Sequence, residues 1–247
     1  MPRTASELVT SAENQLVKRL RRLAAVRGED EVLLEGPRVI RQAAAAGVRL
    51  ELLAVRQDDE FEIEAEHRVT ISRALFRELS QTSAPQGVLA IGHAELGDLT
   101  AALAAARSAG WPLLVLDRVQ DPGNVGAIAR SAAAAGAPAL VVLPGTADPL
   151  GAKAIRASAG HVFNLRLARA AWADLDGLRC LGASAAGTPL EATDLGSIEA
   201  LVLGSEAHGL SRPLPAVALP MAPGVDSLNV AAAAAILLYE LRRRIAA

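Results

Sequence analysis

The stretch DRVQDPGNVGAIARSAAAAG, Asp117 to Gly136, marks a change of hydrophobic period. Directly before it, Pro112–Leu116 is a short continuous apolar run of strand length. Within it, Val125–Ala135 is alanine-rich and of helix length, and Gly136 is the stop. Strand, polar turn and helix in that order form the repeating unit of a parallel sheet. Further apolar runs follow at Ala139–Leu143, Leu178–Leu181, Ala200–Leu203 and Ala216–Leu219. Short, uninterrupted apolar strands alternating with helices describe a sheet buried on both faces, so the fold class is α/β.

Ligands of open α/β sheets sit at the carboxyl ends of strands, and three loops there carry the chemistry. They are Asp117–Arg130, Leu203–Leu210 (LGSEAHGL) and Leu219–Ala231 (LPMAPGVDSLNVA), the last leading into the final helix. Each combines Gly or Pro with small polar residues, which exposes backbone donors and acceptors at close range. No G-x-x-x-x-G-K-[ST] run and no G-x-G-x-x-G after a strand occurs, which excludes a P-loop and a dinucleotide fingerprint. Gly204-Ser205-Glu206 is not a nucleophile elbow. The glycine-rich turn of an ordinary Rossmann-type methyltransferase is also missing. Elimination leaves a small molecule held mainly by main chain.

Upstream the chain divides further. Residues 1–27 hold a basic helix or arm in which Lys18, Arg19, Arg21, Arg22 and Arg27 follow one another with no acid between them. Leu16, Leu20 and Leu23 give that helix one apolar stripe. Residues 28–95 alternate strands (Glu31–Glu35, Leu50–Val55, Gly87–Gly92) with helices (Arg38–Ala46, Ser72–Ser80), a small α/β domain. Residues 96–110 read as a linker and 111–247 as the parallel-sheet domain.

The composition sets limits on this reading. The 247 residues carry 25 Lys+Arg against 27 Asp+Glu, a formal charge of -2, with 51% hydrophobic and only 2% aromatic residues. A folded, alanine-packed protein follows, and a nucleic-acid partner would have to use a local patch. The single Cys180 makes no internal disulfide, and no Cys/His cluster has zinc spacing, so no metal is expected. The N-terminus lacks a signal-peptide apolar core and Val230–Tyr239 is too short to span a bilayer. The expectation is a cytoplasmic protein with no membrane partner.

The three loops resemble, in order and spacing, the signature motifs of the SpoU (TrmH-like) branch of the SPOUT RNA ribose 2′-O-methyltransferases. Asn124 and Arg130 match the first; Gly204, Glu206 and Gly209 the second; Pro220-Met221 and Ser227-Leu228-Asn229-Val230 the third. KAIRASAGHVFNL, with Lys153, Arg156, Ser158 and Gly160, is also similar to the family. Residues 28–95 resemble the L30e-like substrate-binding domain that often precedes it. The resemblance implies a deep trefoil knot in the SPOUT domain, S-adenosylmethionine as cofactor and a homodimer whose active sites use both chains. Leu203, Gly204, Leu219, Met221 and Leu228 are the matching cofactor positions. It also implies that Asn124, Arg130, Glu206, Ser227 and Asn229 act in catalysis. An RNA substrate makes phosphate contacts of Lys18, Arg19, Arg21, Arg22, Arg38, Arg41 and Arg156.

Each of those residues has a plainer structural role as well. Asn124 or Asn229 could simply cap a helix, Glu206 could be an exposed loop acid, and Arg130 a surface residue. His208, inside the second motif, is expected to be incidental. The preceding domain and the Arg-x-Ser-x-Gly stretch favour 23S-type large-subunit ribosomal RNA as substrate, including a methylase of antibiotic-resistance type. Transfer RNA is the alternative, and a non-catalytic RNA-binding or ribosome-assembly factor the rival from another class.

Overall fold

A computed structural model of the chain describes residues 8–245 and falls into two compact units. One comprises the chain through Glu95 with Leu150–Phe163, the other Leu96–Pro149 and the chain from Asn164. Residues 1–7 of the expected arm, and 246–247, lie outside the described residues.

The first unit contains β1 (Leu8–Val9), α1 (Gln15–Ala25), β2 (Glu31–Glu35), α2 (Pro37–Ala45), β3 (Arg49–Arg56), β4 (His67–Ile71), α3 (Arg73–Leu79) and β5 (Val88–His93). The strand order is β1-β4-β3-β5-β2. β5 runs antiparallel to β2 and β3, whereas β4 is parallel to β3 and β1. Helix α2 begins with Pro37 behind Gly36 at φ 92° and stops at Gly47 at φ 86°, backbone angles that favour glycine. β4 was not read from the sequence, because HRVTI presents only Val69 and Ile71 as apolar signal beside an acidic loop.

Helix α1 starts at Asn14, whose side chain accepts from the Leu16 N–H at 2.8 Å. Its buried stripe is Val17, Leu20 and Leu23, with Leu16 at the margin. The stripe packs against Leu33, Leu52, Leu75, Phe76 and Leu89 of the same unit. The basic face is internally neutralised: Lys18 pairs with Glu13 at 2.7 Å, Arg21 with Glu78 at 2.7 Å and Arg22 with Glu31 at 2.7 Å. Arg19 reaches Glu31 at 2.6 Å and grips both oxygens of Glu51 at 2.5 and 2.6 Å. His93 bridges Asp30 at 2.9 Å and the same Glu51 at 3.0 Å.

In the second unit, residues 96–110 are not a linker but form α4 (Leu99–Ser108), capped by Asp98. Small side chains are the reason: Ala102 and Ala106, one turn apart, bury against β-strand residues of the core. There follow β6 (Leu113–Asp117), α5 (Pro122–Ala135) and β7 (Ala139–Val142). Leu150–Phe163, with α6 (Ala152–Ala157), then clusters with the first unit. The second unit resumes with β8 (Arg166–Arg169), β9 (Cys180–Pro189), β10 (Ala200–Gly204), β11 (Ala216–Ala218) and α7 (Val230–Ile245). Its six strands lie in the order β11-β9-β10-β6-β7-β8, all parallel. β8, RLAR, was missed because arginines occupy both its ends. Every residue of β6 and β10 is buried, as the continuous apolar runs required.

The Arg19 clamp makes a pH prediction. The guanidinium beside it holds the Glu51 carboxyl at about 2, against an ordinary 4.5; burial opposes this and His93 adds to it. A depressed carboxylate stabilises the fold above its unfolded pKa, and that contribution is lost as pH falls from 4.5 toward 2. The expected loss is about 2–3 kcal/mol. In thermal melts between pH 6 and pH 3, Glu51→Gln should start lower in Tm and show a flatter acid slope than wild type; parallel slopes refute the assignment.

Candidate active site

Two of the three loops, Leu203–Leu210 and Leu219–Ala231, line a cleft of about 890 Å³ in the second unit, and the first meets them through the Asn124 side chain. The loop after β10 folds back at once. Ser205 and Gly209 exchange backbone hydrogen bonds at 3.0 and 2.8 Å, with Gly209 at φ 64°. A Cβ on Gly204 would lie 2.5 Å from the Gly209 carbonyl carbon and 2.7 Å from the Leu210 nitrogen, all backbone. The return is possible only because that atom is missing. The tight turn lifts Glu206 and His208 into solvent at the cleft's mouth.

Helix α5 brings Asn124 to the same mouth. Its cap is Asp121, which accepts from the Asn124 N–H at 3.3 Å, so the Asn124 side chain is free for other work. Its amide donates to Glu206, and its carbonyl oxygen accepts from the Asn229 amide at 3.1 Å. Asn229 caps α7 as well, its oxygen accepting from Ala231 at 2.9 Å and Ala232 at 3.3 Å. Asn229 is thus the helix cap, and its amide is still left to bond Asn124. The amides form a directed chain, Asn229 to Asn124 to Glu206, in which each donates once and the carboxylate only accepts.

Leu203, Gly204, Leu219, Met221 and Leu228, expected around a cofactor, all line the cleft, as do Glu206, Ser227 and Asn229. Arg130 does not. It lies six residues beyond Asn124, about 240° round the helix, exposed and, among the described residues, without an ion-pair or hydrogen-bond partner. Of the residues expected to touch RNA, Arg38 and Arg41 stand exposed on α2 beside a groove they share with Gln86. Arg41 lies 4.8 Å over the Phe61 ring. Arg156 is half-buried, 3.7 Å from Glu35, and the α1 cations have the partners given above.

The sequence reading missed one wall. Between β9 and β11 the register jumps from Ala216 opposite Gly182 to Val217 opposite Thr188. Residues 183–187, ASAAG, are thereby left out of the ladder and line the cleft. Gly187 lies against the Ala216 backbone, too close for any Cβ, and Gly182 against the end of the Leu210 side chain. A run of small residues after a strand was the available signal. The opposite wall, Ser211–Leu214, carries none. Among the described residues no group of three His, Cys, Asp or Glu could hold a metal, and no helix is long and apolar enough to cross a membrane.

Residues 112–239 match the model of the SpoU rRNA methylase family, and residues 14–90 match an MRM3-like substrate binding domain. The chain is 31% identical to an uncharacterised tRNA/rRNA methyltransferase of Synechocystis, across 96% of this chain and 93% of that protein. It is 30% identical to the 23S rRNA (guanosine(2553)-2′-O)-methyltransferase RlmP of Bacillus subtilis, across 95% and 98% of the two. Among solved structures, an AdoMet-bound rRNA methyltransferase from Sinorhizobium meliloti superposes with TM-score 0.82 at 27% identity, covering 97% and 98%. The SpoU methyltransferase AviRb from Streptomyces viridochromogenes, with AdoMet, gives 0.79 at 26%, covering 94% and 98%.

The crowding at Gly204 is testable by stability. Gly204→Ala sets a methyl against backbone that cannot swing away, and should cost about 2–4 kcal/mol, in the manner of an overpacked core. Gly209→Ala meets no atom within 4 Å and should cost only the strain of its positive φ, about 1 kcal/mol. Chemical denaturation of both variants gives the comparison; equal losses would contradict the close approach at Gly204.

Proposed function

The chain belongs to the SpoU rRNA methylase family, and from that premise we propose that it methylates a ribose 2′-hydroxyl of RNA, with large-subunit ribosomal RNA as substrate. The observation that carries this is the Asn229–Asn124–Glu206 chain at the mouth of a cleft lined by the second and third motif loops. S-adenosylmethionine fits that cleft. Its volume suits a nucleoside-sized ligand, Leu203, Leu219, Met221 and Leu228 offer apolar contact, and Gly204 with the 183–187 strip offers bare backbone. When bound, it supplies an electrophilic methyl on a sulfonium. The similarity to a 23S rRNA methyltransferase and the match of residues 14–90 to a substrate-binding domain support the choice of RNA.

The protein's part is to place the hydroxyl and make its proton easy to lose. Asn124 and Asn229, locked in donor direction by one another, orient the ribose together with Glu206; Ser227 adds a hydroxyl at the same rim. Arg130 is the cation of the set. Its role is to hold the neighbouring phosphate and stabilise the alkoxide as charge develops, the proton passing to phosphate or water.

The proposal includes a homodimer. Arg130 does not line its own cleft, and α7 leaves Ile236 45% and Tyr239 71% exposed, one turn apart with Ala232 on one stripe. A second copy covering that stripe completes a site built from both chains. It also includes the family's trefoil knot, which the backbone contacts at Gly187 and Gly204 suit, and residence in the cytoplasm. In the first unit, Arg38 and Arg41 beside Gln86 are the RNA contacts open to solvent. Lys18, Arg19, Arg21, Arg22 and Arg156 would contribute only by exchanging a carboxylate for a phosphate.

Tritiated methyl transfer from S-adenosylmethionine to separated ribosomal and transfer RNA tests the reading. Label is expected in the large-subunit fraction, at a nucleotide resistant to alkaline cleavage. Arg130→Ala should reduce transfer at least about 100-fold, the scale of losing one transition-state charge partner, while cofactor binding stays within about twofold. Label confined to transfer RNA would overturn the substrate, and wild-type protein that binds no cofactor would overturn the activity.

A further inference from the structure

Among the described residues of the second unit, Asp117 is the charged side chain that is buried, 1% exposed, and no step of the chemistry above uses it. A buried carboxylate is costly unless hydrogen-bonded. Here the bonds go to one residue: Ser211 donates its backbone N–H at 2.5 Å and its hydroxyl at 2.9 Å. Arg118 is the nearest cation, at 3.8 Å. The direction of the hydroxyl is settled by Trp172, whose indole N–H donates to the Ser211 oxygen at 2.6 Å. An indole only donates, so the serine proton must point to Asp117. Arg212, next along the chain, stacks 4.7 Å over the Trp172 ring and pairs with Asp176 at 3.1 Å.

The place of this clamp gives it a purpose. Asp117 is also the register partner of Gly204 across β6 and β10. The loop Gly204–Ser211 thus begins on the backbone of residue 117 and ends on its side chain. That loop carries Glu206, and Ser211–Leu214 beyond it form a wall of the cleft. We propose that Asp117 is a positioning residue for the cofactor, closing the Gly204–Ser211 loop and fixing that wall through Ser211. The inference rests on the cofactor reading of the cleft given above.

Calorimetric binding of S-adenosylhomocysteine, together with KM and kcat for methyl transfer, tests it. Asp117→Asn keeps the shape but replaces one of the two accepting oxygens by a donating amide, so one of the two Ser211 donors loses its acceptor. It should raise the Kd and the KM for S-adenosylmethionine about tenfold or more, and lower kcat at saturation by less than that factor. Ser211→Ala, which keeps the backbone N–H and cannot by its size unfold the domain, should raise Kd about threefold. The double variant should bind no worse than Asp117→Asn, since both act through one contact. A clamp that served only the fold would lower Tm and leave Kd and KM where they were, and that result overturns the proposal. If Asp117→Asn fails to fold, an unchanged Kd for Ser211→Ala is decisive against it. Wild-type protein that binds no S-adenosylhomocysteine would instead bring down the cofactor reading itself.

Discussion

The backbone at Gly204 passes so close to that of Gly209 and Leu210 that no Cβ fits between them. Much of the second unit follows from this contact. Because β10 ends in a residue without a side chain, the chain can reverse within five residues and pair Ser205 with Gly209. Because it reverses there, Glu206 stands within reach of Asn124, which belongs to the helix after the neighbouring strand β6. The reversal also returns Ser211 to the carboxylate of Asp117 at the end of that same strand. A larger residue at 204 would push the turn outward and separate all of these at once. The sheet supplies the strand ends, but the missing atom makes them meet.

The first unit shows why a run of cations is a poor guide to a nucleic-acid surface. On α1 the arginines look unopposed in the sequence, since no acid lies among them. In the fold Glu31, Glu51 and Glu78 come from other elements and take them up. Surface pairs of this kind are worth little individually, but Arg19 ties Glu31 of β2 to Glu51 of β3 and shares Glu51 with His93 of β5. Those charges hold the helix on the sheet. Arg38 and Arg41 on α2 and Arg130 on α5 are exposed and dispersed, and the net charge of -2 says nothing of them.

The legible part of the molecule is the part governed by local rules. β6 and β10 were readable because strands buried on both faces have no polar interruption, and α2 and α5 because Pro and Gly bracket them. The three loops were readable as a set through the family's motifs, and the cleft gathers eight of the ten residues assigned to it. What could not be read depends on partners distant in the chain. β4 and β8 are strands because neighbours complete them, not because HRVTI or RLAR is strongly patterned. α4 passed for a linker since alanine is equally at home on a surface and in a tight interface. The 183–187 wall exists only through the register jump against β11, and the Asp117 clamp joins positions 94 residues apart.

The remaining step concerns Arg130, the one catalytic candidate that stands away from the cleft. Helices α5 and α7 pack together and are tied at both ends. At the start, Asn229 donates to Asn124; at the finish, Arg242 donates to the carbonyl oxygen of Ala135 at 2.8 Å. The ties are about 17 Å apart along α5 and about 20 Å along α7 at 1.5 Å per residue, so the two helices run parallel with matched spans. A helix pinned to its neighbour at each end cannot roll. Turning Arg130 toward its own cleft would require a rotation of α5 of order 100°, which would break the Asn124 bonds and expose Val125, Ile128 and Ala132, all buried without remainder. If Arg130 serves the reaction as proposed, it has to meet the substrate from where it stands. Either the RNA reaches over α5 to its own chain's Arg130, or the Arg130 of a second copy lies over this cleft. The rigid pair also displays the Ile236 and Tyr239 stripe, an apolar face that water alone would leave at a cost, and the second arrangement satisfies both demands with one contact.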